Sequence, residues 1–216
     1  VQRWSVVVPA KRLVAAKTRL TPLTAALGGA PPAGHGDLVL ALLGDTVAAA
    51  LRSPAVGLVL VVTDEPRAAA VVTALGAETV GDEPDSGLNA ALAHGAEQAR
   101  LRAAGPVAAL SSDLPALRPE ELTEALTAAA ALPRAFVADA AGTGTTLLAV
   151  RDGELEPRFG AGSAAAHAAG GAVPLDGGWP GLRQDVDTPA DLHAACWIGV
   201  GDRTSGFLEA TSWTPP

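Results

Sequence analysis

The chain has 216 residues, with 15 Lys and Arg against 23 Asp and Glu, a formal charge of −8. That balance excludes a general nucleic-acid binder, which needs a basic footprint to neutralise phosphates, but leaves room for a small basic patch facing a small anionic ligand. The single cysteine, Cys196, excludes a disulfide framework and a Cys-based zinc site and reads as a small apolar helix residue.

In chain order, Trp4–Val8 is short, apolar and β-branched, as expected of a strand buried on both faces. Lys11, Arg12, Lys17 and Arg19 follow it, basic residues behind an apolar stretch, the reverse of a signal peptide. No window offers the roughly 18–20 apolar residues of a membrane span, so a soluble, cytoplasmic protein is expected. Residues 28–36 read as a surface loop. Leu40, Leu43, Val47 and Leu51 recur at helical spacing over about Asp37–Arg52. Strand-like Val56–Thr63 and Pro106–Ser111 alternate with helical Arg67–Leu75, Leu88–Ala104 and Pro119–Ala131. Such alternation predicts βαβ crossovers: an α/β fold with a mostly parallel central sheet and helices on both faces.

Past Ala131 the pattern changes. Ala135–Ala138 and Thr146–Val150 flank a turn-rich stretch and predict a hairpin. A short helix near Ser163–Ala169, a strand at Ala172–Leu175 and a helix over Pro189–Ile198 follow, the last opened by a capping box at Thr188–Asp191. The expected organisation is one domain over 1–200 and a loose tail over 201–216. The four histidines show no metal-ligand spacing and read as ordinary surface or helix residues.

Ligands of open parallel sheets bind beyond the carboxyl ends of the strands. There lie the basic cluster after the first strand, Ser111-Ser112-Asp113 after Pro106–Leu110, and Asp185-Val186-Asp187 before the last helix. Bases at one strand end and carboxylates near others suit a metal-bound phosphorylated ligand, with magnesium bridging acids and phosphates. Each group also has a plainer reading. The bases form a solvated loop, Asp113 caps a turn before Pro115, and Asp185 and Asp187 decorate a helix entrance. Asp139–Thr146 is an anion nest or simply a hairpin turn. A Gly-x-Ser-x-Gly elbow, a P-loop and the dinucleotide Gly-x-Gly-x-x-Gly are all absent.

The ordered set of Pro9-Ala10-Lys11-Arg12-Leu13 with Ala16-Lys17-Thr18-Arg19-Leu20, then Gly87-Leu88-Asn89 and Ser112-Asp113-Leu114-Pro115, carries a resemblance. So do Phe136–Asp139 with Gly142–Thr145, Arg158-Phe159-Gly160 with Ser163 and His167, and Trp179–Arg183 with Asp185–Leu192. Over roughly positions 5–200 the chain resembles the guanylyltransferases that activate a three-carbon phospho-acid in biosynthesis of the deazaflavin coenzyme F-420. Related molybdenum-cofactor guanylyltransferases have a Gly-Gly loop after the first strand, where this chain has Lys-Arg-Leu.

The resemblance implies the Rossmann-like nucleotide-diphospho-sugar transferase fold and transfer of GMP from GTP to phosphoenolpyruvate, or to 2-phospho-L-lactate, with pyrophosphate released. It implies Mg2+ on Asp113 with Asp185 and/or Asp187, and the triphosphate on Lys17 with Lys11, Arg12 or Arg19. Catalytic roles fall to Lys17 and Asp113. Thr145, Gly160 and Ser163 map onto the acceptor pocket, and Leu88 and Asn89 onto the nucleotide side. The unstable product would pass to the next transferase of the pathway. A catalytically idle nucleotide-binding module is the rival reading; it would keep the basic loop and lose the carboxylates, which are all present here.

Overall fold

The computed structural model describes residues 3–10, 20, 34–83, 85–211 and 213; Lys11, Arg12, Lys17 and Arg19 lie outside them. The strands are β1 (Trp4–Pro9), β2 (Val56–Val62), β3 (Glu78–Val80), β4 (Val107–Leu110), β5 (Arg134–Ala138), β6 (Thr145–Val150) and β7 (Val173–Pro174). They form one sheet in the order β3-β2-β1-β4-β6-β5-β7. All neighbours pair in parallel except that β6 runs antiparallel to β4 and to β5. The mostly parallel sheet and the predicted hairpin are both present.

The helices are α1 (His35–Arg52), α2 (Pro66–Leu75), α3 (Leu88–Arg102), α4 (Pro119–Ala129), α5 (Ser163–Ala169), α6 (Pro180–Arg183), α7 (Pro189–Ile198) and α8 (Asp202–Ala210). Successive side chains of a strand face opposite ways, and both faces of β1 are covered. Val6 and Val8 pack with Leu43 and Val47 of α1 and Leu122 and Leu126 of α4. Val7 packs on the other side with Leu92 and Ala96 of α3, in the same cluster as Phe136, Leu148 and Ala164. Aliphatic side chains dominate both layers, as a chain with few aromatics requires.

The predicted box at α7 forms: Thr188 Oγ1 accepts from Asp191 N at 3.3 Å, and Asp191 Oδ2 accepts from Thr188 N at 2.8 Å. The C-terminal expectation needs correcting. Residues 202–210 are a helix, not a loose tail, and bury Phe207 and Leu208 in one cluster with Leu38, Ala41 and Leu42 of α1. Asp45 of α1 receives the N-terminal amides of α8, Arg203 N at 3.1 Å and Thr204 N at 2.8 Å. This cap comes from another helix, so no local capping signal announces α8. Among the described residues, no helix is long and apolar enough to cross a membrane.

Candidate active site

Residues that follow β1, β4 and β5 line one cavity of about 680 Å³. Because β6 is reversed, its first residue, Thr145, lines the same cavity. That volume is typical of a small-molecule site.

One wall is acidic. Asp113, 6% exposed, follows β4 in a loop held by Thr46 of α1. Thr46 Oγ1 accepts from Leu114 N at 2.9 Å and donates to Leu42 O at 2.9 Å. Val186 N in turn donates to Asp113 O at 3.1 Å, stitching the second acidic segment to the first. The Val186 side chain is fully buried in the cluster shared by α1, α7 and α8. Its neighbours Asp185 and Asp187 both line the cavity.

Replacing Thr46 by Val leaves the Leu114 amide without its acceptor. The expected loss is about 1–3 kcal/mol, or a melting temperature lower by a few degrees at about 2–4 °C per kcal/mol. An unchanged thermal melt would show that Thr46 does not hold the Asp113 loop.

The donor set suits magnesium in kind, since carboxylate oxygens are hard ligands. Among the described residues, no three His, Cys, Asp or Glu side chains are gathered closely enough to hold an ion by themselves. Magnesium is commonly held by one or two carboxylates together with substrate phosphates and water, so a partial protein cage fits it.

The lining also carries hydroxyls. Thr145 is 7% exposed and Ser163 1%, and Ser163 Oγ has no hydrogen-bond partner among the described residues. Gly160 has φ +130°, a conformation that favours glycine. Leu88 of α3 lines the cavity, whereas the Asn89 amide is taken up by the backbone beside it. Asn89 Nδ2 donates to Phe159 O at 3.1 Å, and Asn89 Oδ1 accepts from Phe159 N at 2.7 Å. Asn89, expected on the nucleotide side, fastens the loop that presents Gly160.

Two sequence readings are corrected here. The hairpin stretch is no anion nest, because Thr143 N and Gly144 N donate to the Asp139 carboxylate at 2.9 and 2.8 Å. His167 is no ordinary surface residue: it is 2% exposed and sits behind Thr145. Thr145 Oγ1 lies 2.9 Å from His167 Nδ1, and Arg158 N donates to Nε2 at 2.9 Å. Burial, then the charges of Arg134 and Arg158, lower the His167 pKa to about 4. The four-residue spacing from Ser163 was the signal in the sequence for a shared helix face.

The structure thus gathers Leu88, Asp113, Thr145, Gly160, Ser163, Asp185 and Asp187 around one space. Ala10, which immediately precedes the basic segment in the sequence, also lines it.

A family model described as guanylyl transferase CofC like matches residues 4–172. A protein of Geodermatophilus obscurus named phosphoenolpyruvate guanylyltransferase is 66% identical over 208 residues, covering 96% of this chain and 95% of that one. One of the same name from Thermomonospora curvata is 56% identical over 207 residues, with 94% and 88% covered. Among solved structures, a Desulfovibrio desulfuricans protein assigned to the nucleotide-diphospho-sugar transferases superposes with a TM-score of 0.67 at 14% identity, covering 96% of each chain. A nucleotidyl transferase from Methanothermobacter reaches 0.58 at 23% identity, with 97% of this chain and 100% of that one covered. The last two likenesses speak to the fold.

Proposed function

Because the chain belongs to the CofC-like guanylyl transferase family, we propose that it transfers GMP from GTP to phosphoenolpyruvate. The products are enolpyruvyl-diphospho-guanosine and pyrophosphate, in the making of coenzyme F-420. One observation carries the site assignment: a single cavity lined by Asp113, Asp185 and Asp187 together with Thr145, Gly160 and Ser163.

The chemistry asks little of acid–base groups. An anionic oxygen of the acceptor phosphate attacks the α-phosphorus, and a new P–O–P bond forms. The bond to the bridging oxygen of pyrophosphate breaks, and that oxygen leaves with the electron pair, so no proton has to move. What remains is alignment, which by itself is worth about 7–11 kcal/mol.

Asp113 with Asp185 and/or Asp187 would hold magnesium, which when bound neutralises charge between acceptor and nucleotide phosphates. The Thr145 and Ser163 hydroxyls and the backbone at Gly160 take the acceptor carboxylate. Leu88 packs against the nucleotide, and Lys17, with Lys11, Arg12 and Arg19, takes the triphosphate. The substrates place the enzyme in the cytoplasm, with the next transferase of the pathway as recipient of its product.

The test is pyrophosphate release from GTP and magnesium with either phospho-acid, followed by mass spectrometry of the product. A guanylated phosphoenolpyruvate supports the reading, and a guanylated phospholactate replaces the acceptor. No release with either leaves a nucleotide-binding module.

Within this reading, Ser163→Ala and Thr145→Val each raise the KM for the phospho-acid while the KM for GTP stays put. Losing a hydrogen bond to a charged group costs about 1.5–3 kcal/mol, roughly ten- to a hundred-fold. Equal changes in both KM values would remove these hydroxyls from the acceptor site.

A further inference from the structure

We propose that His167 is a positioning residue that makes the Thr145 hydroxyl an obligatory hydrogen-bond donor toward the acceptor's anionic group. The inference rests on the acceptor reading of the cavity, and it begins from a backbone amide.

Arg158 N can only donate, and it donates to His167 Nε2 at 2.9 Å, so Nε2 carries no proton. The ring proton of a neutral imidazole must then sit on Nδ1. Nδ1 lies 2.9 Å from Thr145 Oγ1, so Nδ1–H donates and the hydroxyl oxygen accepts. With that lone pair engaged, the hydroxyl proton is turned away from the imidazole. No other hydrogen bond to Thr145 Oγ1 occurs among the described residues, and Thr145 lines the cavity. The proton is therefore offered to whatever binds there.

The ring's surroundings keep it in this state. His167 is 2% exposed, stands edge-on to Phe159 with ring centroids 5.2 Å apart, and lies 6.1 Å from the Phe136 ring. A second ring proton would put Nε2–H against the Arg158 N–H. Arg134 and Arg158 both add positive charge that disfavours protonation. The buried ring thus acts as a fixed donor, and the Thr145 side of the pocket discriminates for an ionised oxygen over a group that must itself donate.

Two substitutions separate positioning from support. Asn at 167 places an amide nitrogen where Nδ1 stands, keeping the donor to Thr145 and abandoning Arg158 N. Gln at 167 extends its carbonyl oxygen toward the place of Nε2, keeping Arg158 N and abandoning Thr145. His167→Gln is expected to raise the KM for phosphoenolpyruvate roughly ten-fold, with the KM for GTP unchanged. His167→Asn should stay within about two-fold of the parent, less than the loss of one net hydrogen bond. In a Thr145→Ala background, His167→Gln should add nothing further.

The opposite order of Asn and Gln, or parallel changes in both KM values, would overturn the proposal. Nitrogen-15 spectra of the wild-type histidines provide a readout independent of turnover: a protonated Nδ1 and bare Nε2 at neutral pH are expected. A protonated Nε2 overturns the inference. A correct tautomer in a protein that fails to guanylate any phospho-acid instead overturns the acceptor reading beneath it.

Discussion

Asp113→Asn is expected to lower kcat by about 1,000-fold, the upper range for removing a group that stabilises charge in the transition state, while the protein stays folded. The two side chains are nearly the same size, and the backbone that holds the loop is untouched. Val186 N still donates to the carbonyl of residue 113, and Leu114 N still donates to Thr46. What disappears is a hard, anionic oxygen at the point where the β4 loop and the 185–187 segment meet. The measurement is pyrophosphate release beside a thermal melt across a magnesium titration. A rate near wild type at saturating magnesium would remove Asp113 from the metal site.

Lys17→Ala is expected to lower kcat/KM for GTP roughly 100-fold, the lower range for losing such charge stabilisation. The reason lies in the cavity as much as in the lysine. Its described lining includes Asp113, Asp139, Asp185 and Asp187 and no Lys or Arg, within a chain whose formal charge is −8. Such a surface repels a triphosphate unless local positive charge offsets it. Pro9 and Ala10 line the cavity, and the chain goes directly from them into the segment that holds Lys11, Arg12, Lys17 and Arg19. Lys17→Arg should recover only part, because a planar fork does not reproduce a compact ammonium. Unchanged kinetics would return Lys17 to a solvated loop and pass the test to its basic neighbours.

The central sheet was legible because its strands are buried on both faces and therefore spell out short aliphatic runs, as Trp4–Pro9 and Val56–Val62 do. Glu78–Val80 was not, since three residues with an exposed Glu78 make no run. α8 escaped because Asp45, the group that receives its first amides, belongs to a distant helix.

The site divides in the same way. Asp185 and Asp187 were readable as a pair, because they flank a single apolar residue, Val186, which the fold buries while both acids line the cavity. His167 was not, because its meaning lies in two partners, Thr145 and Arg158, that the fold brings to its two nitrogens. Asn89 shows the converse: the right neighbourhood, but an amide bonded to the Phe159 backbone.

The reversed direction of β6 has a bearing on how such a catalyst diversifies. In a wholly parallel sheet, successive strand ends around a ligand are separated by long crossovers, so each contact belongs to a different part of the gene. Here β5 leads to β6 through a hairpin, β6 starts at the cavity with Thr145, and the chain after β6 comes back to it, so Asp139, Thr145, Gly160 and Ser163 all reach the cavity from one short stretch of chain. The residues assigned to the acceptor can thus be exchanged as a cassette, while β1 and the basic segment after it remain as they are. Natural variation in the phospho-acid should accordingly collect between residues 139 and 167, and grafting that stretch between relatives should carry acceptor preference with it.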